Sequence, residues 1–211
     1  MKTSMGKRMR IFFSCCLVML AVMSNADDLP QFCSQDCVVG YGEALGESIS
    51  GVEAYSNCNN ACVNPTPFFV GDTFTGIKWQ CVEYARRWLL INKHVVYGDV
   101  DVAADIWGLE YVVSPDKKIK SPFISILNGD KDYGLQTGDL LIYSRAFYGT
   151  GHVAVVLKID KQKQRIFLGE QNFDNGKWQQ DYARDIPYIE YADGVWILDP
   201  YLIGWKRVIS Q

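Results

Sequence analysis

The chain has 211 residues, enough for one domain with a substantial apolar core. It carries 21 basic and 24 acidic side chains, a formal net charge of -3 and no long basic run, so its charge gives no support to nucleic-acid binding. Aromatic residues are abundant, with 12 Tyr, 10 Phe and 6 Trp, which suits a β-rich fold with an apolar or stacked cleft. No internal repeat or low-complexity linker interrupts the sequence, so a single domain is the economical interpretation.

Residues 1–26 have the features of a secretory signal peptide. Basic residues and no acid lie within residues 1–10, residues 11–23 are almost wholly apolar, and a small-residue cleavage site ends at Ala26. The apolar run is shorter than the ~20 residues that a membrane span needs. We therefore expect cleavage after Ala26, a secreted or periplasmic mature protein formed by residues 27–211, and no membrane-spanning helix.

Five cysteines remain after the expected cleavage, an odd number for a protein in an oxidising compartment. Four of them form two Cys-x-x-x-Cys pairs: Cys33, Cys37, Cys58 and Cys62. Disulfides and a zinc site are the alternatives, and export favours disulfides that tie down the N-terminal segment. If residues 40–57 double back as a hairpin, a nested pairing is natural, with Cys37–Cys58 inside. The outer pair is then Cys33–Cys62, although the sequence leaves the connectivity open. Cys81 is left over.

The apolar patterns predict helices in the first half of the domain and strands in the second. Residues 80–92 repeat apolar side chains with helical spacing and are predicted as a helix, and residues 100–109 as a second, shorter one. Strands are predicted over residues 139–143, 152–159, 165–172, 195–198 and 202–208. This order is typical of an α+β domain with N-terminal helices packed on an antiparallel β-sheet.

Cys81 is the candidate nucleophile. It lies in the first turn of the predicted helix over residues 80–92, where free backbone N–H groups and the helix dipole stabilise a thiolate. The same N–H groups stabilise the oxyanion of a tetrahedral intermediate. A buried structural cysteine is the common alternative, but an unpaired cysteine in an exported protein argues for a reactive one.

His152 is the candidate base for Cys81. It follows Gly149 and Gly151, which keep the backbone slim at the edge of a cleft. The other histidine, His94, is separated from Cys81 by a helix of ~20 Å, so we expect His94 to be a surface or C-cap residue. Two histidines in the whole chain give poor support to a histidine-based zinc centre, and no metal is expected.

Residues 170–172 supply candidates to orient His152. If residues 160–164 form the turn between two antiparallel strands, partner residues have numbers that sum to about 322–324, and His152 lies opposite residues 170–172. Side chains alternate along a strand, so Glu170 and Asn172 share a face and one of them reaches the imidazole. A Cys–His couple oriented by a carboxylate or amide is the general layout of thiol acyl-transfer enzymes. Taken by itself, this segment has a polar strand end as the alternative.

Several segments resemble one family of enzymes. Residues 76–87 (GIKWQCVEYARR) resemble the nucleophile segment of glutathionylspermidine amidases, the amidase half of bacterial glutathionylspermidine synthetase/amidase and of trypanothione synthetase. That family's histidine and acid motifs resemble residues 151–155 and 170–172, and further similarity lies at residues 41–46 and 202–205. These enzymes belong to the CHAP class of cysteine- and histidine-dependent amidohydrolases and peptidases. The resemblance spans most of the mature chain and implies one CHAP domain with a papain-like core.

The resemblance implies a role for each matched residue. Cys81 becomes the nucleophile, His152 the general base and acid, and Glu170 the residue that orients the imidazole. Asn172 becomes a supporting polar group, and Gln80 lends an oxyanion contact. No cofactor is implied. The synthetase half and a phosphate-binding Gly-Lys motif are absent from the sequence, so ATP-dependent ligation is not expected.

The substrate implied by the resemblance is a small-molecule amide of the glutathionylspermidine type, in which a glycine carboxyl is joined to a polyamine. Arg86, one helical turn beyond Cys81, is then expected to meet a substrate carboxylate. A cell-wall peptide amide is the alternative, because exported enzymes of this class commonly meet peptidoglycan. A non-catalytic binding module of the same fold is the third interpretation.

Overall fold

The computed structural model describes residues 29–209, so the signal-peptide interpretation of residues 1–26 lies outside the described residues. A 3-10 helix (Gln31–Cys33) precedes the strands β1 (Ala44–Glu47), β2 (Glu53–Tyr55), β3 (Pro67–Val70) and β4 (Thr73–Ile77). Next come the helix α1 (Cys81–Lys93), β5 (Val96–Tyr97), a second 3-10 helix (Ala103–Gly108), β6 (Tyr111–Val113) and β7 (Lys120–Leu127). The remaining elements are β8 (Leu140–Tyr143), β9 (His152–Asp160), β10 (Arg165–Gly169), β11 (Arg184–Tyr191), β12 (Gly194–Ile197) and β13 (Leu202–Val208).

The described part of the chain is α+β but mostly β. The expectation of several N-terminal helices on a sheet is wrong, because α1 is the single α-helix of residues 29–209 and the segment before it folds as the hairpins β1–β2 and β3–β4. The predicted helix over residues 100–109 is a short 3-10 helix, Ala103–Gly108. Its N-cap, Val102, provides no side-chain cap, and glycine ends it. A segment so short and so weakly capped does not sustain an α-helix.

The helix α1 agrees with the helix predicted over residues 80–92 to within one residue at each end. Gln80 is its extended N-cap, and His94 is its C-cap in the left-handed region, as one of the two expectations for His94 had it. Leu89 and Leu90 are buried, which fixes the rotation of the helix and of its first turn. No helix of the described part of the chain is long and apolar enough to cross a membrane.

Nine strands form one antiparallel sheet in the order β12-β11-β10-β9-β8-β13-β7-β6-β5. The predicted strands are present as β8, β9, β10, β12 and β13, whereas β5, β6, β7 and β11 were not predicted. β10 ends at Gly169, three residues before its predicted end. The chain leaves the strand there, and Asn172 adopts a left-handed conformation with φ of 54° that a strand does not hold.

The central strands are buried on both faces, which is why they read as continuous apolar runs rather than as alternating ones. In β9, Val153 and Val155 belong to the core that includes α1, whereas Ala154 and Val156 belong to a second core on the opposite face. Trp205 of β13 is fully buried in that second core. β9 is therefore packed on both faces, which fixes the position of its first residue, His152.

Two disulfides tie the N-terminal segment. Cys37 pairs with Cys58, and Cys33 pairs with Cys62, at Cα–Cα distances of 4.2 and 4.6 Å. This is the nested arrangement, with the hairpin β1–β2 inside the inner pair. All four sulfur atoms are engaged in these two disulfide bonds, so they are not zinc ligands. Cys81 is the free cysteine of residues 29–209.

Candidate active site

Cys81 is the first residue of α1. Gln80 before it is extended and makes no side-chain cap, so the backbone N–H groups of the first turn have no partner within the helix. Gly76 of β4 has φ of 145° and runs against this turn, since a Cβ there would lie 2.9 Å from the Cα of Glu83. Cys81 is 8% exposed and lines a cleft of about 500 Å³. The thiol is thus at a helix N-terminus, as predicted, and faces an open cleft.

His152, the first residue of β9, lines the same cleft. Its buried ring packs against Tyr143, Phe147 and Phe173, with ring centroids 5.6, 6.0 and 5.3 Å away. Gly151 before it has φ of 72°, and a Cβ there would lie 2.4 Å from the Tyr143 carbonyl oxygen. Only glycine fits at that position, and it allows β9 to begin with the imidazole at the cleft.

Glu170, just after β10, reaches the same imidazole. Nε2 of His152 lies 2.8 Å from Oε2 of Glu170, and both side chains are almost fully buried. The β9–β10 pairing begins with Arg165 opposite Asp160, residue numbers that sum to 325. A bulge between Phe167 and Leu168 brings the sum to 324 at Gly169 and Val155, the upper end of the expected range. The pairing rule therefore placed residues 170–172 near the imidazole, but β10 ends before them, and the rule did not choose between Glu170 and Asn172.

Cys81 and His152 line the same cleft, and the thiol is one of the groups that perturb the imidazole. Because Glu170 occupies Nε2 of the imidazole, Nδ1 is the ring nitrogen left to face the thiol. Burial by itself would lower the pKa of His152, but the charge and hydrogen bond of Cys81, and then those of Glu170, raise that pKa to about 9. His152 is therefore cationic at neutral pH, the state that pairs with a thiolate.

Glu170 is ionised although it is buried. Burial raises the pKa of a carboxyl group, but the hydrogen bond of His152 and the charge of Arg184 hold the pKa of Glu170 below its usual value. Arg184, at the start of β11, donates from Nε to Oε1 of Glu170 over 2.5 Å. The carboxylate has one oxygen on the imidazole and the other on the guanidinium, which fixes its orientation.

Asn172 has different partners from Glu170. Its Nδ2 donates to Oε1 of Gln80 over 2.8 Å. Nε2 of Gln80 in turn donates to Oδ1 of Asn57 and to the carbonyl oxygen of Cys62, both at 3.2 Å. Gln80 and Asn172 both line the cleft. Of the two residues considered from the sequence, Glu170 contacts the imidazole, whereas Asn172 holds the side chain next to the thiol.

The segment that contains Cys81, His152 and Glu170 matches a known family. Residues 72–172 match the model of the CHAP domain. The chain contains a CHAP domain. The match begins in the loop before β4 and ends just after β10. The disulfide-tied N-terminal segment, β11 and Arg184 therefore lie outside the matched residues.

Homology to longer proteins extends over most of the chain. It is 29% identical over 177 residues to trypanothione synthetase of Crithidia fasciculata, which covers 83% of this chain and 26% of that protein. It is 30% identical over 182 residues to the bifunctional glutathionylspermidine synthetase/amidase of Escherichia coli (strain K12), which covers 78% of this chain and 29% of that protein. The chain thus spans less than a third of the length of these relatives.

Arg86 does not line the cleft of the CHAP domain. It is 2% exposed, and its Nη2 donates to the carbonyl oxygen of Gly98 over 2.8 Å and to Asp99 over 3.2 Å. Its guanidinium lies 4.8 Å from the ring centroid of Tyr97. Five residues after Cys81 is about 140° around a helix, so the side chain points away from the thiol. The guanidinium bonds to Gly98 and Asp99 and does not reach into the cleft. The arrangement therefore gives no support to a contact between Arg86 and a substrate carboxylate.

Arg184 and its partners were missed by the sequence reasoning. Its Nη1 donates to the carboxylate of Asp199 over 2.8 Å, and its Nη2 donates to the hydroxyl of Tyr143 over 3.0 Å. The Tyr143 hydroxyl donates to the same oxygen of Asp199 over 2.6 Å. A polar network therefore continues from Glu170 to Tyr143 in the second core of the sheet.

The sequence held one signal for this network. Ile186 and Tyr188 are buried and alternate with more exposed positions, which is the period of a strand. Pro187 between them obscures the pattern, because proline lacks the N–H donor of a central strand. Once β11 is recognised, its pairing with β10 places Arg184 opposite Leu168, two residues before Glu170.

The cleft next to the Cys–His pair is acidic. Asp99 and Asp101 line it, together with the aromatic side chains of Phe147 and Tyr148. Among the described residues that line the cleft there is no Lys or Arg. Asp99 is paired with Arg86, so a cationic group bound beside the thiol would meet the carboxylate of Asp101.

Proposed function

We propose that the chain is a cysteine amidohydrolase that hydrolyses a secondary amide through an acyl-enzyme on Cys81. The observation that carries the proposal is the placement of Cys81 and His152 in one cleft, with Nε2 of His152 2.8 Å from the carboxylate of Glu170. A thiol at a helix N-terminus, a cationic imidazole and an orienting carboxylate are the parts of a thiol acyl-transfer site. The CHAP domain and a relative named as an amidase support the same reaction class.

Acylation begins with attack of the Cys81 thiolate on the amide carbonyl carbon. The oxyanion that forms lies near the backbone N–H groups of the first turn of α1, which stabilise its charge. The imidazolium of His152 gives its Nδ1 proton to the amide nitrogen as the C–N bond breaks. The amine leaves, and the acyl group remains on sulfur as a thioester.

Deacylation uses the neutral imidazole that acylation leaves behind. His152 takes a proton from water as the water oxygen attacks the thioester carbonyl carbon. The C–S bond then breaks, the carboxylic acid product leaves, and the thiolate and imidazolium are restored together. Glu170 holds the ring in one orientation through both steps.

For the substrate we propose an amide between a glycine carboxyl and a polyamine, as in glutathionylspermidine. The leaving group of such an amide is cationic, and Asp99 and Asp101 line the cleft into which it would leave. The name of the Escherichia coli relative, a glutathionylspermidine synthetase/amidase, supports this substrate class.

Export completes the proposal. Disulfides persist in oxidising compartments, and two of them join the N-terminal segment. Residues 1–26 have the composition of a signal peptide. The proposed hydrolase would then meet its amide substrate outside the cytosol.

Release of free spermidine from glutathionylspermidine by the purified protein tests the proposal, with Cys81→Ala as the control. We expect release by the native protein and none by the variant. Release that persists in Cys81→Ala would overturn the thiol mechanism. A protein that alkylates at Cys81 but releases no spermidine would move the substrate to cell-wall peptide amides, for which muropeptide release from purified sacculi is the assay. An unreactive thiol near neutral pH would favour a non-catalytic binding module.

A further inference from the structure

Arg184 takes no part in the reaction steps above, yet its whole guanidinium is engaged at the site. Nε donates to Glu170, Nη1 to Asp199 and Nη2 to the Tyr143 hydroxyl, at 2.5, 2.8 and 3.0 Å. Each nitrogen has an acceptor, so the planar group is fixed in one orientation. The guanidinium also lies 4.2 Å from the ring centroid of Phe173, whose ring packs on the imidazole. Arg184 thus reaches the surroundings of the imidazole by two routes.

The network joins parts of the sheet that are distant in sequence. Tyr143 ends β8 and is paired with His152 across the β8–β9 ladder. Glu170 follows β10, Arg184 begins β11, and Asp199 follows β12. Arg184 is the member that contacts all three other polar groups. Its removal would therefore release the Glu170 carboxylate from the strands that position it.

The charges around the thiol show what Arg184 balances. The groups that face one another are Cys81 from α1, the imidazole from β9, Glu170 after β10, Arg184 from β11, and Asp199 with Tyr143 behind them. Without the guanidinium, Glu170 has two options. It takes a proton, and the imidazolium loses its partner, or it stays charged and adds uncompensated negative charge near the thiolate. Both outcomes weaken the thiolate–imidazolium pair.

We propose that Arg184 is a positioning residue that holds the Glu170 carboxylate aimed at His152, and that the reactivity of Cys81 depends on it. Arg184 lies beyond residues 72–172, so this support comes from outside the matched CHAP segment. The inference rests on the proposed function, but reactivity of the thiol can be measured without a substrate. Failure of the substrate assignment therefore leaves the inference testable.

The rate at which iodoacetamide alkylates Cys81, followed against pH under non-reducing conditions, is the first measurement. In Arg184→Gln we expect the midpoint of the profile to move to higher pH by about one unit. Arg184→Lys keeps the charge and should keep the midpoint close to that of the native protein. Arg165→Gln is the matched control, because Arg165 forms an ion pair with Asp185 between the same two strands, away from the cleft. It should leave the midpoint unchanged.

Tyr143→Phe provides a milder second variant, since it removes one acceptor of Arg184 and keeps the ring. We expect a smaller shift of the midpoint in the same direction. Once a substrate is in hand, kcat in Arg184→Gln should fall by about tenfold or more with little change in KM. A folded Arg184→Gln protein with the native alkylation midpoint would overturn the inference, and so would an equal shift in Arg165→Gln.

Discussion

Glu170 and Asn172 lie two residues apart, and strand alternation placed both on one face, yet they act on different neighbours. Glu170 contacts His152, and Asn172 contacts Gln80. The difference arises because β10 ends at Gly169 and the backbone turns through a left-handed residue at Asn172. Alternation rules apply only while the strand lasts.

The pH dependence of activity separates the two residues. The pKa of His152 is raised to about 9, so its proton is lost, and kcat/KM should fall, as the pH rises through about 9. Glu170 is one cause of that rise, so in Glu170→Gln we expect the alkaline limb to move to lower pH. The same variant should lose about 100-fold in kcat, because the imidazole loses its orientation.

Asn172→Ala is the companion variant for this measurement. It leaves the contact between His152 and Glu170 intact and frees Gln80, so we expect a smaller loss, on the order of tenfold in kcat. The alkaline limb should stay where it is in the native enzyme. A larger loss in Asn172→Ala than in Glu170→Gln would reverse the assignment of the orienting residue.

The sequence predicted the position of candidate site residues where the argument was local. The helix N-terminus located Cys81, and the hairpin register brought residue Glu170 to His152. Arg86 lies away from the cleft because helical rotation over five residues turns its side chain from the face that carries Cys81. Arg184 was out of reach, since its approach to Glu170 depends on a strand pairing that the sequence pattern did not reveal.

At the scale of elements, the disulfide-tied segment forms part of the cleft. Asn60 and Val63 line it, and the carbonyl oxygen of Cys62 accepts hydrogen bonds from both Gln80 and Asn57. The Cys33–Cys62 disulfide ties the same residue, Cys62, to the 3-10 helix Gln31–Cys33. The segment is therefore a support for the residue beside the thiol as well as a covalent tie.

Removing the two disulfides one at a time tests this support. Each double variant, Cys33→Ala/Cys62→Ala and Cys37→Ala/Cys58→Ala, should lose about 2–4 kcal/mol in the free energy of unfolding. In the first pair Cys62 itself accepts a hydrogen bond from Gln80, whereas in the second Cys58 only adjoins Asn57, the other acceptor. We therefore expect the first variant to lose more activity at a temperature where both variants are folded. Denaturant unfolding and kcat/KM are the two measurements. Equal activity in the two variants would show that the outer disulfide serves stability alone.

The elements themselves were predicted unevenly, for physical reasons. The helix α1 and the strands β8, β9 and β13 have strong apolar periodicity or long apolar runs, and their predicted ends fall within one residue of the structure. The short strands β5 and β6 have two and three residues and leave no periodic signal. The hairpin β1–β2 lies within residues 40–57, where a hairpin was considered, whereas β3–β4 was not predicted.

At the scale of the whole molecule, two buried cations hold the cleft wall, the segment of residues 98–109 of which residues 99–103 line the cleft. Arg86 of α1 bonds to the carbonyl oxygen of Gly98 at one end of the wall. Lys206 of β13, which is 1% exposed, bonds from Nζ to the carbonyl oxygens of Trp107 and Leu109 at the other end. Its remaining acceptors are the Phe123 carbonyl oxygen and the Ser125 hydroxyl. The centre of the sheet and the helix thus position the same loop.

Lys206→Met keeps the length of the side chain and removes its donors. The acceptors left behind are buried or partly buried, so we expect a loss of about 2–3 kcal/mol in the free energy of unfolding. For a chain of this size that corresponds to a fall in Tm of roughly 4–12 °C. Lys118→Met, at an exposed ion pair with Asp116, is the control and should change stability by less than about 0.5 kcal/mol. A thermal melt of Lys206→Met that matched this control would contradict the role of the ammonium.

The free thiol of Cys81 needs reducing conditions, whereas the two disulfides need oxidising ones. An oxidant converts the Cys81 thiolate to sulfenic acid and beyond, so a mild reductant should raise the activity of an aged preparation. A strong reductant acts on Cys33–Cys62 as well, and its two buried cysteines become reachable when the segment opens locally. Activity plotted against dithiothreitol concentration should therefore pass through a maximum. Activity is therefore retained only over a limited range of redox potential. At high potential the Cys81 thiolate is oxidised, and at low potential the nearby Cys33–Cys62 disulfide is reduced.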